Sequence, residues 1–419
     1  MTNPPGLMYR RTVLQLAGLA GAGTVLGACD SGPAAKPKAA PGDLLVVETQ
    51  AGLAVVDAGT GQVTLPAAPS IVTSDRTRLV RTEWTGKGTK LATHGLPTGE
   101  VVSGSVVRDK LAARVVSAEG RLVALAPPAG PRSRTTIAVA DGSGERTRVD
   151  LPGNLDPEAF DVTGQYLFVL DYLPPTAPDR YRVRALNLRS GALEPLLTRN
   201  KAVLPPGAEE EMRGQGRQAV YDAKRQQLFT LYTHQPDHLH SRDLLAGARD
   251  SAPHVHAFVH TLHLGQRWAY CIDLPEPFGV RAADRHAIAL SGDGLRLCVV
   301  DAVTGTVAVI DPEGLTVAST APLAAPAGAG PATAALTADG GRLVVGGGDK
   351  VVVMPMGTSG AATRWSTGSP VRGLALLDGT EKVYVGQEGA ITAHDLTTGK
   401  QLSRTAVPGL VSIRQVIAR

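Results

Sequence analysis

The sequence has 419 residues, among them 48 Gly and 30 Pro, and only 19 % of its residues are charged. This composition is typical of a turn-rich, all-β protein rather than a helical one. The formal net charge of +4 is small for this length. We find no block of Lys and Arg residues, so the sequence gives no support for nucleic-acid binding.

Residues 1–28 are predicted to be a signal peptide that is removed from the mature protein. Arg10 and Arg11 lie within residues 9–15, a stretch that resembles a twin-arginine export motif. The apolar stretch that follows, residues 16–26, is too short and too rich in small residues to span a bilayer as a mature anchor. The beginning of the chain therefore predicts export.

The apolar stretch ends in Leu26-Gly27-Ala28-Cys29, which resembles a bacterial lipobox. The resemblance implies that a peptidase cuts before Cys29 and that this Cys is acylated. Residues 29–42 then comprise the lipidated Cys29 and a Pro- and Ala-rich tether that has no periodicity. We expect an exported protein that the lipid on Cys29 anchors to the outer face of the cell membrane.

Residues 43–419 are predicted to form one β-propeller domain. The pattern is clearest between residues 287 and 320, where four short apolar runs are separated by turns rich in Asp and Gly. Such runs are typical of antiparallel strands joined by hairpins. A single four-stranded sheet cannot bury both of its faces, so it must stack on copies of itself.

Copies of this pattern recur along the chain, each with a Gly in its third hairpin. These glycines are Gly61, Gly99, Gly144, Gly191, Gly265, Gly314, one near residue 360, and Gly399. The spacing of about 40 to 50 residues, longer only after Gly191, is the period of a propeller blade. We count eight four-stranded antiparallel blades, and seven is the alternative because residues 66–135 are weakly patterned. The C-terminal run 411–417 is expected to supply the innermost strand of blade 1 and so to close the ring.

Two of the copies also resemble a known family. In blade 6 the string Val-Val-Asp at residues 299–301 precedes residues 305–311, and in blade 8 residues 382–386 precede residues 391–396. These strings resemble the bacterial YVTN-repeat (YncE-like) propellers, although no copy contains the full Tyr-Val-Thr-Asn motif. The resemblance implies an extracytoplasmic scaffold or binding module, and it brings no shared catalytic residues with it.

Blade 5 contains most of the histidines. Seven of the ten His residues fall between residues 234 and 263, and the insertion that holds most of them is predicted to connect the second and third strands of the blade. Such connections share one face of a propeller, which we name the top. Five imidazoles are placed at or near the top as candidate ligands of Cu²⁺ or Zn²⁺: His234, His238, His240, His254 and His256. His260 and His263 are placed toward the bottom, and the alternative for the whole cluster is ordinary solvated or hydrogen-bonded histidine.

Other long loops of blades 4 to 6 are predicted on the same face, where a rigid scaffold commonly presents binding residues. The candidate residues of this face are Asp179, Arg180, Arg213, Arg281, Asp284 and His286. The run Glu209-Glu210-Glu211, in the link between blades 4 and 5, is interpreted as a solvated charge run. Cys271 and Cys298 lie in apolar runs, and two interpretations stay open: buried thiols or a disulfide.

Few enzyme signatures are present. The sequence has no Cys-x-x-Cys-His motif, so a covalently attached haem is not expected, and its three Trp residues are too few for a propeller that binds pyrroloquinoline quinone (PQQ). It also has no Gly-x-Ser-x-Gly nucleophile elbow. A hydrolase or lyase at the channel mouth, with an acid–base pair such as Asp284 and His286, stays as one alternative.

We therefore predict an exported, lipid-anchored β-propeller that acts as a non-catalytic binding or scaffold module. Its binding surface is expected on the top face of blades 4 to 6, for an unidentified protein, glycan or small molecule. The main alternative is a copper- or zinc-binding protein that uses the His cluster of residues 234–263.

Overall fold

The computed structural model describes residues 42–213, 215–235, 238–248, 257–323, 327–328, 330–357 and 361–417. Within these ranges 32 strands form eight four-stranded antiparallel sheets. The predicted all-β propeller with eight four-stranded blades is therefore confirmed, and the alternative count of seven blades is wrong.

The first four blades span the region in which the sequence pattern is weakest. Their strands, from the innermost to the outermost, are as follows: in blade 1, β32 (Leu410–Ile417), β1 (Leu44–Thr49), β2 (Gly52–Asp57) and β3 (Val63–Ala68); in blade 2, β4 (Ser70–Val72), β5 (Arg78–Trp84), β6 (Gly88–Gly95) and β7 (Val101–Arg108); in blade 3, β8 (Ala112–Val116), β9 (Val123–Ala126), β10 (Arg134–Asp141) and β11 (Gly144–Pro152); in blade 4, β12 (Asn154–Phe160), β13 (Tyr166–Leu173), β14 (Arg180–Asn187) and β15 (Leu193–Pro195).

The other four blades follow in chain order. Their strands are as follows: in blade 5, β16 (Gln215–Asp222), β17 (Gln227–Thr233), β18 (Ala257–His263) and β19 (Trp268–Asp273); in blade 6, β20 (His286–Leu290), β21 (Leu297–Asp301), β22 (Thr306–Asp311) and β23 (Thr316–Pro322); in blade 7, β24 (Thr333–Leu336), β25 (Arg342–Gly347), β26 (Lys350–Pro355) and β27 (Thr363–Ser366); in blade 8, β28 (Leu374–Leu376), β29 (Lys382–Gln387), β30 (Ala390–Asp395) and β31 (Gln401–Ala406).

Helix is nearly absent from the described residues. A short helix, α1 (Ser241–Leu245), lies in the blade 5 insertion, and one 3₁₀ turn (Ala283–Arg285) precedes β20. Neither of these two segments has the length or hydrophobicity that a helix needs to cross a lipid bilayer.

The ring closes through β32, the last strand of the chain. It pairs antiparallel with β1, from Leu44 opposite Ile417 to Thr49 opposite Leu410. The predicted C-terminal run 411–417 thus supplies the innermost strand of blade 1. Because the first and last strands share one sheet, the chain can separate at this seam only by breaking a complete ladder of backbone hydrogen bonds.

Apolar clusters fill the space between neighbouring blades. Side chains alternate between the two faces of each strand, so a blade that is apolar on both faces needs a neighbour on each side. Between blades 4 and 5 the cluster contains several of the largest fully buried side chains: Phe168, Tyr172, Tyr181, Tyr232 and Phe258. The rings of Tyr232 and Phe258 stack with their centroids 5.2 Å apart. Met212, from the top-face link between these blades, packs into the same cluster.

In blade 8 the repeated Gly of the third hairpin is a requirement of the turn. In blade 8, Asp395 Oδ1 accepts the backbone N–H groups of Thr397 and Thr398 at 3.1 and 2.8 Å. The chain then reverses at Gly399, where φ is +70°. A Cβ atom at this position would lie 2.7 Å from the ring of Trp365. Both the left-handed backbone and the close approach require Gly at this position. The corresponding glycines of blades 1 to 4 also have positive φ, whereas in blades 5 and 6 the left-handed residues are Arg267 and Leu315.

Shortening Ile413 to Ala is expected to lower the free energy of unfolding by about 2 to 5 kcal/mol. Ile413 is 5 % exposed and lies in the apolar cluster that joins blade 8 to blade 1. Val411→Ala, on the same strand but 41 % exposed, should change this free energy by less than about 0.5 kcal/mol. Urea unfolding followed by circular dichroism measures both variants. Equal effects would mean that packing of β32 does not stabilise the ring.

Candidate metal centre

A buried carboxylate marks the top of the interface between blades 4 and 5. It belongs to Glu210, which lies in the link between β15 and β16 and is 8 % exposed. Its Oε1 atom lies 2.8 Å from His238 Nε2, 2.9 Å from His240 Nδ1 and 2.8 Å from Cys271 Sγ. Two imidazole nitrogens and a thiol sulfur thus converge on one carboxylate oxygen that bulk water hardly reaches.

The residues on either side of Glu210 fix the link in place. Tyr181 of β14 and Met212 of the link exchange two backbone hydrogen bonds, of 3.1 and 2.8 Å. The flanking acids form ion pairs with arginines of β14: Glu209 with Arg182 and Arg184, and Glu211 with Arg180. The interpretation of this Glu triplet as a solvated charge run is wrong, because Glu210 is buried and all three carboxylates have partners.

His238 and His240 come from the loop that follows β17. The ring of His238 stacks on Phe258 with centroids 4.4 Å apart, and the ring of His240 meets Phe258 edge-on at 5.0 Å. The backbone N–H of His240 donates to Asp243 Oδ2 at 3.0 Å, which fixes the start of α1. The aromatic cluster below and the helix start together place both imidazoles against Glu210.

Cys271 and His260 come from the blade itself. They face each other across β19 and β18 and are 2 % and 3 % exposed. The donor atoms of Glu210, His260 and Cys271 lie within 4.8 Å of one another, and so do those of Glu210, His238 and His240. The sequence pattern placed His260 toward the bottom, whereas the structure brings its imidazole beside Glu210.

Three members of this cluster, Glu210, His260 and Cys271, were not among the candidate ligands of the sequence. For His260 a signal was available in the alternation of side chains along a strand. Residues 258 and 260 are two positions apart, so their side chains share one face of β18. Glu210 and Cys271 carry no comparable signal. Glu210 and Cys271 meet because the link between β15 and β16 passes close to β19. No local sequence pattern specifies the path of that link.

Burial and charge act in opposite directions on these groups. Burial alone would raise the pKa of Glu210, but hydrogen bonds with His238 and His240 outweigh it and hold that pKa well below its usual range. Burial likewise opposes protonation of His240, yet its hydrogen bonds to Asp273 and Glu210 raise its pKa to about 9. Burial, helped by the charge of Glu210, raises the pKa of the Cys271 thiol well above its usual value. At neutral pH the cluster is therefore a carboxylate beside a protonated imidazole and a neutral thiol.

His234 and His286 lie apart from Glu210. His234 Nδ1 is 3.0 Å from Thr233 Oγ1. His286 is completely buried, and its Nε2 accepts the backbone N–H of Gly279 at 3.1 Å while its Nδ1 lies 3.2 Å from Ala282 O. These contacts attach His286 to the segment that leads into β20, so its imidazole holds the backbone there.

The charged candidates of blade 4 already have partners on the protein. Arg180 lies between the carboxylates of Asp179 and Glu211, at 2.8 and 2.6 Å. Arg213 is exposed, and its backbone N–H donates to Gln235 Oε1 at 2.8 Å. Arg180 therefore stabilises the link beside Glu210, while the side chain of Arg213 extends from the same link toward solvent.

The other predicted residues are spread over different places. Arg281 and Asp284 are exposed in the link between blades 5 and 6. Cys271 and Cys298 are both buried free thiols, so the disulfide alternative does not describe this structure. The remaining predicted residues lie outside the described ranges: Arg10, Arg11, Cys29, His254 and His256.

The stability of the protein in the presence of a chelator is expected to fall as the pH rises from about 6.5 to about 9. His240 has its pKa raised to about 9, against about 6.5 in an unfolded chain. Its contribution to stability is therefore complete below pH 6.5 and is lost as the pH passes through 9. The difference corresponds to about 3 kcal/mol. Urea unfolding at intervals of pH measures it.

The matched variants for this measurement are His240→Gln and His394→Gln. His394 is also buried, but burial lowers its pKa, so its removal should leave the decline in place. His240→Gln should flatten the curve between pH 6.5 and 9. A wild-type curve that is already flat in this range would contradict the charged state assigned to His240.

Comparisons with known proteins relate the chain to others by fold. No protein-family model matches it, and no curated protein matches it either. Among solved structures, AztD from Citrobacter koseri is similar, with a TM-score of 0.51 and 12 % identity over 90 % of this chain and 98 % of that chain. BamB from Moraxella catarrhalis (TM-score 0.41, 13 % identity, 82 % and 92 % covered) and the periplasmic gluconolactonase PpgL from Pseudomonas aeruginosa (0.41, 16 %, 90 % and 99 %) are further examples. Likeness at these identities extends to the fold and no further: the chain is an eight-bladed β-propeller similar in architecture to bacterial propeller proteins.

Proposed function

We propose that this protein is a binding module that holds one Zn²⁺ ion at the top of the interface between blades 4 and 5. The ligands in this proposal are Glu210, His238, His240 and Cys271, with His260 as an adjacent fifth donor. The observation that carries it is the convergence of two imidazole nitrogens and a thiol sulfur on one buried carboxylate oxygen, at 2.8 to 2.9 Å.

The spacing of the donor atoms supports a small ion. Zn–N distances of about 2.0 to 2.1 Å and Zn–S distances of about 2.3 Å separate the ligand atoms of a tetrahedral site by about 3.3 to 3.8 Å. The separations within the two groups that share Glu210 extend from 2.8 Å to at most 4.8 Å, which brackets that range.

The donor types support zinc over the hard cations. Carboxylate oxygen, imidazole nitrogen and thiolate sulfur are the three ligand types that Zn²⁺ accepts. Mg²⁺ and Ca²⁺ are bound almost entirely through oxygen, and Glu210 is the one oxygen ligand in the proposed set. Copper also binds imidazole and thiolate, so copper competition belongs in the titration.

Calorimetric titration of the purified protein with Zn²⁺ is expected to show saturable binding of one equivalent. Glu210→Gln and Cys271→Ser should each weaken it by more than about 100-fold, because they remove a direct ligand where loss of an outer contact alone typically costs about 10- to 100-fold. Ca²⁺ at the same concentrations should give no heat of binding. The affinity should rise with pH, because the ion must displace protons from His240 and Cys271.

Two variants serve as controls for that titration. His94→Gln removes another buried imidazole, in blade 2, whose Nδ1 lies 2.9 Å from Gly99 O. Cys298→Ser removes the other buried thiol. Both should bind Zn²⁺ as the wild type does. Absence of saturable binding, or equal binding by wild type, Glu210→Gln and Cys271→Ser, would refute the proposal and leave the cluster as a purely structural hydrogen-bond network.

We also propose that the protein reaches the outer face of the cell membrane as a lipoprotein, with residues 1–28 as its export signal. The support is the order of the twin-arginine-like motif, the apolar stretch and Cys29 in the sequence. Cys29→Ser should abolish incorporation of labelled palmitate and move the protein out of the membrane fraction. Cys298→Ser should leave both unchanged. Continued labelling of Cys29→Ser would contradict the lipid anchor.

A further inference from the structure

The imidazole of His240 is held from both sides. Its Nδ1 lies 2.9 Å from Glu210 Oε1, on the side of the proposed ion, and its Nε2 lies 2.6 Å from Asp273 Oδ1 on the opposite side. Asp273 is the last residue of β19, at the top of the outermost strand of blade 5. One ring therefore connects the buried carboxylate to a half-exposed carboxylate at the edge of the blade.

Asp273 is itself held by Arg242 from helix α1. Arg242 Nη2 lies 2.5 Å from Asp273 Oδ2, and Nη1 donates to the carbonyl oxygen of Cys271 at 2.8 Å. The guanidinium also lies over the ring of Tyr270, 5.5 Å from its centroid. Arg242 thus contacts three residues of β19 and ties α1, which begins next to His240, to the strand that carries Cys271.

We infer that Asp273 and Arg242 are positioning residues of the zinc site, and this inference rests on the proposed function. Asp273 accepts the Nε2–H of His240, so the lone pair that is free to bind the ion is on Nδ1. Arg242 holds Asp273 in that orientation and fixes the distance between the His240 and Cys271 donors. A carboxylate behind a ligating imidazole sets both the tautomer and the ring orientation of that ligand.

The contrast with His238 supports the assignment. His238 turns its Nε2 toward Glu210, and its outer nitrogen, Nδ1, has no hydrogen-bond partner among the described residues. Its ring is fixed by stacking on Phe258 instead. The two imidazoles would therefore bind through different nitrogens, and only His240 has a charged residue that determines which one.

Asp273 does not have the place of a ligand. It belongs to neither group of donor atoms that converge on Glu210, and its two oxygens are used by His240 and Arg242. Its side chain is 39 % exposed, whereas the residues of the donor groups are at most 8 % exposed. Asp273 lies behind the imidazole of His240, so it would affect the ion by orienting that imidazole.

The test is a Zn²⁺ titration of the full-length protein and its Asp273→Asn variant, combined with NMR of protein that carries ¹⁵N-labelled histidine. Asp273→Asn should weaken Zn²⁺ binding by about 10- to 100-fold. In the Zn²⁺-loaded wild type, His240 should give the signal of a protonated Nε2 with a metal-bound Nδ1. Asp273→Asn should shift or lose that signal, while the signal of His238, bound through Nε2, should stay. Asp273→Glu should restore part of the affinity.

Glu194→Gln is the matched control, because Glu194 and Arg267 form a pair of similar exposure at 2.8 Å on blades 4 and 5 without touching the donor atoms. It should bind Zn²⁺ as the wild type does. Arg242→Gln provides a second variant, with a weaker affinity and an unchanged protonated Nε2 as the expected result. Wild-type affinity and an unchanged His240 signal in Asp273→Asn would overturn the inference and leave the zinc site in place. An equal loss in Glu194→Gln would overturn it as well. Absence of Zn²⁺ binding by the wild type would instead refute the proposed function, and the inference with it.

Discussion

Packing of blade against blade is the constraint on which the rest of this structure depends. A four-stranded sheet with Val, Leu and Ile on both faces is unstable alone, and each sheet here buries both faces only because the ring is closed by the pairing of β32 with β1. Closure fixes the spacing of all eight interfaces. At the interface between blades 4 and 5, that spacing is filled by aromatic rings from both blades. His238 and His240 pack on these rings, which hold both imidazoles against Glu210.

The polar cluster above these aromatic rings is an exception to the apolar packing between the blades. Burying a carboxylate costs several kcal/mol unless charge and hydrogen bonds compensate for it. Here a protonated His240, with Asp273 behind it, supplies the compensating charge. In this arrangement protons on the donor groups balance the charge of the buried carboxylate. In the proposed function a metal cation takes the place of those protons. A site of this kind releases protons when it takes up an ion, so its affinity depends on the acidity of the surroundings.

The fold was predictable from the sequence because the features that specify it, short apolar strands and hairpin turns, are local and are repeated in the blades. The hairpin that Asp395 and Gly399 form recurs at Asp57 and Gly61 and at Asn187 and Gly191. The C-terminal run could be assigned to blade 1 because that blade lacked an inner strand. Part of the site was predictable as well, since a loop rich in His pointed to His238 and His240. Glu210 was not, because the feature that buries it is the ion pairing of Glu209 and Glu211 with arginines of β14. A run of three acidic residues looks the same in sequence whether its central member faces water or protein. For His286 the sequence predicted a residue of the binding face, but both of its ring nitrogens contact the backbone of its own segment, one at an N–H group and one at a carbonyl oxygen.

The seam within blade 1, where β32 pairs with β1, also determines which way the molecule faces. β1 is the second strand of its blade and begins at the bottom, where Asp43 is held by Lys382 Nζ at 3.0 Å. The segment that precedes residue 42 therefore joins the ring at its bottom face. In a ring of eight blades the interface between blades 4 and 5 is nearly half a turn away from blade 1, and Glu210 lies on the top. Attachment of the protein through residue 42 would therefore place the proposed zinc site on the face and the side of the ring that are farthest from the point of attachment.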